Sequence, residues 1–232
     1  MSETLLRDDD LIVRSNGALR RITLNRPQAL NAITLDMAVA MTALLREWQP
    51  DPKVGAVLID GAGDRGFCAG GDIRALYEAA KNAKTKPVAA ADALPVRFWA
   101  TEYKLNVLIA RYAKPVVAVM DGLVMGGGVG LSAHAAHRVV TERSAVAMPE
   151  VGIGFFPDVG ASFLLARAPG DIGTHLALTG QRLGAADALF CKLADIHLPV
   201  DRLIEIPAVL ANCRSHKEVR AGLERLSAAP DG

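Results

Sequence analysis

"VMGGGVGLSAH", residues 124–134, sets four glycines into the five positions from Gly126 to Gly130, between apolar neighbours. Within a helix each glycine costs about 1 kcal/mol against alanine. A run of them belongs where the backbone turns sharply or where something must approach its amides closely. Just before it, "PVVAVMDG" (115–122) is a short apolar run bounded by turn residues, the pattern of a strand buried on both faces. A second unit of the same kind lies upstream. There "VGAVLIDG" (54–61) runs into the glycine loop "GAGDRGFCAGG" (61–71), and "DIRALYEAAK" (72–81) follows with helical spacing. Buried strand, glycine loop and helix in alternation define an α/β chain with crossover connections.

Outward from these units the elements are simpler. "LIVRSNGALRRITLNRP" (11–27) reads as two strands joined at Asn16-Gly17 and closed by Pro27. In "TLDMAVAMTALLREWQ" (34–49), Leu35, Met37, Val39, Met41, Leu44, Leu45 and Trp48 recur at helical spacing behind a Thr34 cap. "NAKTKPVAAADALP" (82–95) is polar and alanine-rich and is expected to be a mobile insert. "VRFWATEYKLNVLIARYA" (96–113) is a long helix, and "HRVVTE" (137–142) a third buried strand. No sequence repeat is visible. From about residue 200 the chain turns helical and polar, which divides it into residues 1–200 and a helical region at 201–232.

Composition limits the partners. Hydrophobic residues make up 51% of the 232 and charged residues 22%, ample for a core. With 26 basic and 25 acidic residues the net charge is +1, which gives no reason to expect nucleic acid or an anionic membrane. Cys68, Cys191 and Cys213 are odd in number and lack metal-ligand spacing, as for reduced thiols; no metal is implied. "MSETLLRDDDLIVRS" (1–15) has no basic region leading into an apolar run, and the longest apolar stretch is interrupted by Asp121. The expected setting is cytoplasmic.

The two glycine loops suggest chemistry. The first amides of a helix have no intrahelical partner, and the helix dipole makes that end attractive to negative charge. Neither loop is a phosphate cradle, because GxxxxGK[ST] and an N-terminal GxGxxG are both missing. Two loops converging on one acyl oxygen would instead form an oxyanion hole, each donor worth roughly 3 kcal/mol. Taken singly, each loop is equally well a tight turn under a closely packed helix.

"RPQALNAI" (26–33), "GFCAGGDI" (66–73), "KPVVAVMDGLVMGGGVGLS" (114–132), "MPEVGIGFFPDVG" (148–160) and "LTGQRL" (178–183), in that order, resemble the crotonase (enoyl-CoA hydratase/isomerase) superfamily. The resemblance runs from about residue 11 to 205. It implies a β-β-α spiral core with two roughly perpendicular sheets, and homo-oligomers built as trimers or pairs of trimers. It implies an acyl-CoA substrate whose thioester carbonyl sits between the amides of Gly71 and Gly127. Coenzyme A enters as part of the substrate, without a metal or redox cofactor, and "LNRPQALNAI" (24–33) resembles its largely backbone contacts. Members of this kind continue through further C-terminal helices that complete the acyl pocket, so the helical C-terminal part is read as shortened.

Hydratases of the superfamily carry two glutamates. Here the first of those positions is Gly130 and only the second, Glu150, is acidic. The wording around Glu102, Glu150 and Asp158 is similar to the thioester-hydrolase branch, which acts on short 3-hydroxyacyl-CoA esters. That resemblance implies Glu150 as the catalytic carboxylate, Asp158 as its acidic partner, and Glu102 as a substrate contact. Glu150 either attacks the carbonyl or activates water. Asp158 binds the 3-hydroxyl or protonates the leaving thiolate. Each also has an ordinary reading: Asp158 as a turn cap, Glu102 as solvated helix surface, Asp72 as a helix N-terminal residue. His134 and His137 are expected to be satisfied core residues, and Cys68 to pack. A hydratase or isomerase working through Glu150 alone, and an acyl-CoA-binding protein with little turnover, are the alternatives.

Overall fold

The computed structural model describes residues 2–5, 10–83 and 89–230. Most of the central part of the expected mobile insert, residues 84–88, lies outside the described residues.

The chain opens with β1 (Ser2–Leu5), β2 (Leu11–Asn16) and β3 (Leu19–Leu24), an antiparallel meander. Asn16 pairs with Leu19, so the two-residue loop is Gly17-Ala18 and not Asn16-Gly17. The loop falls one residue later than the Asn16-Gly17 pair suggests because the ladder keeps Asn16, whose Nδ2 donates to Pro207 O at 3.1 Å. Next comes α1 (Leu35–Trp48), capped as expected: Thr34 Oγ1 accepts from the Met37 amide at 3.2 Å. Val39 is 51% exposed, contrary to expectation. Met37, Ala38, Met41, Leu44, Leu45 and Trp48 make the buried stripe, and Val39 falls off it by the 3.6-residue period.

A repeating unit then follows. β4 (Ala56–Gly61) leads into β5 (Gly66–Cys68) and the helices α2 (Ile73–Ala83) and α3 (Leu94–Ala110). β6 (Val116–Met120) leads into β7 (Leu123–Met125) and α4 (Gly127–Ser132). β8 (His137–Val140) leads into β9 (Ala145–Ala147), a 3₁₀ turn at Glu150–Ile153 and α5 (Ala161–Leu165). α6 (Ile172–Thr179), α7 (Ala185–Phe190), β10 (Ile196–His197), α8 (Ile206–Leu210) and α9 (His216–Glu224) complete the described chain.

Two sheets result. The large one has the order β1-β2-β3-β4-β6-β8-β10, parallel from β3 onward, and the small one is β5-β7-β9, all parallel. First strands of each unit thus enter the large sheet and second strands the small one, the β-β-α pattern implied by the resemblance. The repeat was invisible in sequence because β5, β7 and β9 have three residues each, too few to show alternation.

Alternation within β4 and β6 explains why these strands read as continuous apolar runs. Val57 and Ile59, with Val116, Ala118 and Met120, face the main core under α1 and α3. Ala56 and Leu58, with Val117 and Val119, face a second core closed by Ile206, Leu210, Val219 and Leu223 of the C-terminal helices. Among the described residues no helix is long and apolar enough to cross a membrane.

Candidate active site

The three strands of the small sheet are parallel neighbours, so their C-terminal ends open on the same side, where parallel sheets bind ligands. Beyond β5 come Gly70 and Gly71, beyond β7 Gly126 and Gly127, beyond β9 Glu150. All five line one cleft of about 650 Å³, together with Glu102 from α3 and Asp158 from the loop before α5. Glu102, Glu150, Asp158, Gly71 and Gly127 thus line one cleft, whereas Cys68, Asp72, Gly130, His134 and His137 do not. The walls are apolar, with Phe98 and Trp99 on α3 and Phe155 stacked on Trp99 at 5.7 Å between ring centroids.

The glycine loops are built for backbone exposure. Gly70 has φ +102° and Gly126 has φ +50°, left-handed conformations that side chains disfavour. Each is followed by a glycine, Gly71 or Gly127, that lines the cleft. Two bonds with Ile33, from its amide to Gly70 O at 2.8 Å and from the Asp72 amide to Ile33 O at 2.9 Å, clamp the first loop. The Gly71 nitrogen lies 3.3 Å from where a Cβ on Gly127 would stand, so the two loops abut. Neither the Gly71 nor the Gly127 amide donates to an acceptor among the described residues. Such a Cβ would also overlap Glu102 Oε1, and a Cβ on Gly128 would overlap the Cys68 carbonyl.

Gly130 is explained by its neighbours. A Cβ there would stand 2.7 Å from Val159 Cβ and 2.9 Å from Asn106 Nδ2. The space of a second glutamate is filled by the chain that carries Asp158. Val159 itself has φ +44°, a strained conformation for a β-branched residue, costing about 1–3 kcal/mol. His134 Nε2 bonds to its carbonyl oxygen at 2.7 Å.

Three carboxyl groups share the cleft. Glu102 is 2% and Glu150 7% exposed, and Glu102 Oε1 and both Glu150 oxygens meet no other residue's hydrogen-bonding group among the described residues. Burial, reinforced by the charges of Asp158 and Glu150, pushes Glu102 up to about 8. Burial also pushes Glu150 up to about 7, with Asp158 adding to the shift and its own backbone amide opposing it. Asp158 is half-buried and raised by burial too, against a hydrogen bond from Tyr103, whose hydroxyl donates to Oδ2 at 2.6 Å. Glu102 is not solvated surface: it falls on the stripe Phe98, Glu102, Leu105, Asn106 and Ile109 that α3 buries.

Of the other residues weighed from sequence, Asp72 accepts from the Ala75 amide at 3.1 Å at the start of α2, as expected. Cys68 is buried, and burial pushes its thiol up to about 12, so it packs. His134 is satisfied by Val159, but His137 Nε2 has no partner among the described residues; its ring lies 5.6 Å from His216. Sequence reasoning missed Tyr103 and Asn106. Glu102 breaking an apolar helical stripe was the available signal for this face.

The sequence profile described as enoyl-CoA hydratase/isomerase matches residues 19–232, and the chain belongs to that family. It is similar to a protein named 3-hydroxyisobutyryl-CoA hydrolase, mitochondrial, of Danio rerio, at 51% identity over 206 residues, 89% of this chain and 52% of the relative. A protein of the same name from Xenopus tropicalis is 42% identical over 221 residues, 94% of this chain and 55% of its own. The chain thus spans about half the length of the curated relatives it matches. Among solved structures it resembles a carnitinyl-CoA dehydratase from Mycobacterium thermoresistibile, with TM-score 0.87 and 45% identity over 97% of this chain and 63% of that one.

Proposed function

We propose that the chain carries the active site of a thioester hydrolase for short 3-hydroxyacyl-CoA esters. One observation carries the reading: the cleft holds two unpartnered amides and Glu150, while Val159 fills the place of a second catalytic glutamate at Gly130. Addition of water to a double bond needs both a base for the water and an acid for the α-carbon. Thioester cleavage needs a hole for the oxyanion and one carboxylate. The names of the curated relatives agree with it.

In this reading the Gly71 and Gly127 amides bind the thioester carbonyl oxygen and hold the charge that develops on it. Glu150, ionised, either attacks the carbonyl carbon, expelling the CoA thiolate and leaving an anhydride for water to cleave, or takes a proton from the attacking water. The apolar walls strengthen these interactions by keeping bulk water out. Asp158, oriented by Tyr103, receives the substrate 3-hydroxyl or protonates the departing thiolate. The reaction needs no metal or redox cofactor beyond the coenzyme A of the substrate.

A homo-oligomer and a cytoplasmic setting belong to the same proposal. Tyr77, Ile153 and Phe156 stand 62%, 67% and 64% exposed, and another copy would cover such side chains. Light scattering tests the first, and fractionation the second, against relatives named as mitochondrial. The activity is tested by thiol release from 3-hydroxyisobutyryl-CoA beside loss of the crotonyl-CoA double-bond absorbance. Thiol release alone is expected. Double-bond loss without thiol release would move the chain to the hydratases.

A further inference from the structure

The cleft places three carboxyl groups in an apolar chamber, and among the described residues lining it there is no Lys, Arg or His. Buried carboxylates ordinarily find a cation or several donors. Glu102 has neither: its Oε1 is unpartnered and stands against the Cα of Gly127, beside the amide meant for an oxyanion. A full negative charge there would cancel the attraction of the amide dipoles for negative charge. A charged Glu102 would weaken the hole.

We propose that Glu102 acts as a neutral carboxylic acid whose O–H is a third hydrogen-bond donor to the ligand oxygen held by Gly71 and Gly127. This rests on the reading of that pair as an oxyanion hole. The groups around Glu102 favour the proton staying on it. Residues 150 and 158 present carboxyls, and β5 presents the buried Cys68 thiol. Tyr103, next on α3, has its hydroxyl committed to Asp158, and Tyr77 of α2 lines the wall. α4 has no titratable side chain, and α1 turns Asp36, Arg46 and Glu47 to solvent. Among the described residues lining the cleft, no cation opposes the two carboxyls. Burial and these neighbours hold the Glu102 proton up to about 8, and burial raises Glu150 as well.

The test is equilibrium binding of a ketone analogue of the acyl-CoA, in which a methylene replaces the thioester sulfur so that the carbonyl remains and cannot be hydrolysed. Calorimetry from pH 6 to 9.5 reads the donor without turnover. The wild-type chain is expected to bind about tenfold or more weakly once pH passes 8, as the donor becomes a repelling anion. Glu102→Gln, which keeps an N–H donor, is expected to lose that alkaline limb. Glu102→Ala should bind weakly at every pH. Wild-type affinity that does not fall above 8, or a Gln variant that keeps the fall, overturns the proposal. If the Gln variant fails to fold, the wild-type profile decides alone. An alkaline limb in a protein that never releases thiol supports the neutral acid and removes the hydrolase reading, so the two fail separately.

Discussion

Replacing Gly130 with alanine tests why the chain lacks a second glutamate. The added Cβ would stand 2.7 Å from Val159 Cβ and 3.0 Å from its Cγ1. Carbon contacts relax at about 3.5–4.0 Å, so Val159 would have to retreat by about 0.8 Å or more. Overpacking of this kind costs about 1–3 kcal/mol. Removing a helical glycine returns about 1 kcal/mol. The net is a destabilisation of about 1 kcal/mol, or about 3 °C in Tm for a chain of this size. Activity should suffer more. Val159 is already strained at φ +44° and is bonded in series to Asp158, so its retreat carries Asp158 with it. Misplacing a catalytic group by about 1 Å costs on the order of 100-fold, and kcat/KM for thiol release is expected to fall between ten- and a hundredfold. Thermal unfolding and thiol release are measured together, with Gly184→Ala as control, since a Cβ there meets nothing within 4 Å. A Gly130→Ala protein with raised Tm and unchanged kcat/KM would refute the reasoning.

Tyr103→Phe removes the hydroxyl that donates to Asp158 and holds its pKa down, so the ionisation of Asp158 should move to higher pH while Tm barely changes; an unmoved pH–rate profile would contradict this role. The acid limb of thiol release should have its midpoint near 7, because Glu150 must be ionised, and activity should rise as pH passes through that value; a midpoint near 4.5 would show Glu150 to be solvated. Stability should run the opposite way. Glu102 and Glu150 hold protons to about 8 and 7 that the unfolded chain releases near 4.5, so the folded chain loses stability as pH rises from 6.5 to 8.5, by on the order of 2 kcal/mol. The lowered pKa of His137 works in the other direction, but only below about 6.5. A higher Tm at pH 8.5 than at 6.5 would contradict this.

How much of this was readable beforehand depends on the range of each signal. Strands β4, β6 and β8, the Thr34 cap and both glycine loops were legible because each is a local pattern: an apolar run, a capping side chain, a cluster without Cβ atoms. Glu150 was legible as a charge among apolar neighbours. Glu102 needed the helical period of α3, which places it in line with Phe98 and Ile109. The small sheet was not legible. Its strands are three residues long and are stabilised by pairing with one another across more than 20 residues of sequence at each step. The partnership of Tyr103 with Asp158, and the support of Val159 by His134, depend on a positive φ and on a contact between α3 and a distant loop. No local pattern encodes either. The same holds for Gly130, whose absence of a side chain became intelligible only with Val159 against it.

The central claim is that the ends of β5, β7 and β9 assemble a hydrolytic site in which Glu150 does the chemistry. Its most direct test is thiol release from 3-hydroxyisobutyryl-CoA by wild type and Glu150→Gln, with the affinity of each for the ketone analogue measured in parallel. The account predicts that the Gln variant loses at least about 10³-fold in kcat, as expected when an attacking or proton-accepting group is removed, while its affinity stays within a few-fold. A Gln variant that releases thiol at close to the wild-type rate would contradict it, and would place the catalytic carboxylate elsewhere in the cleft.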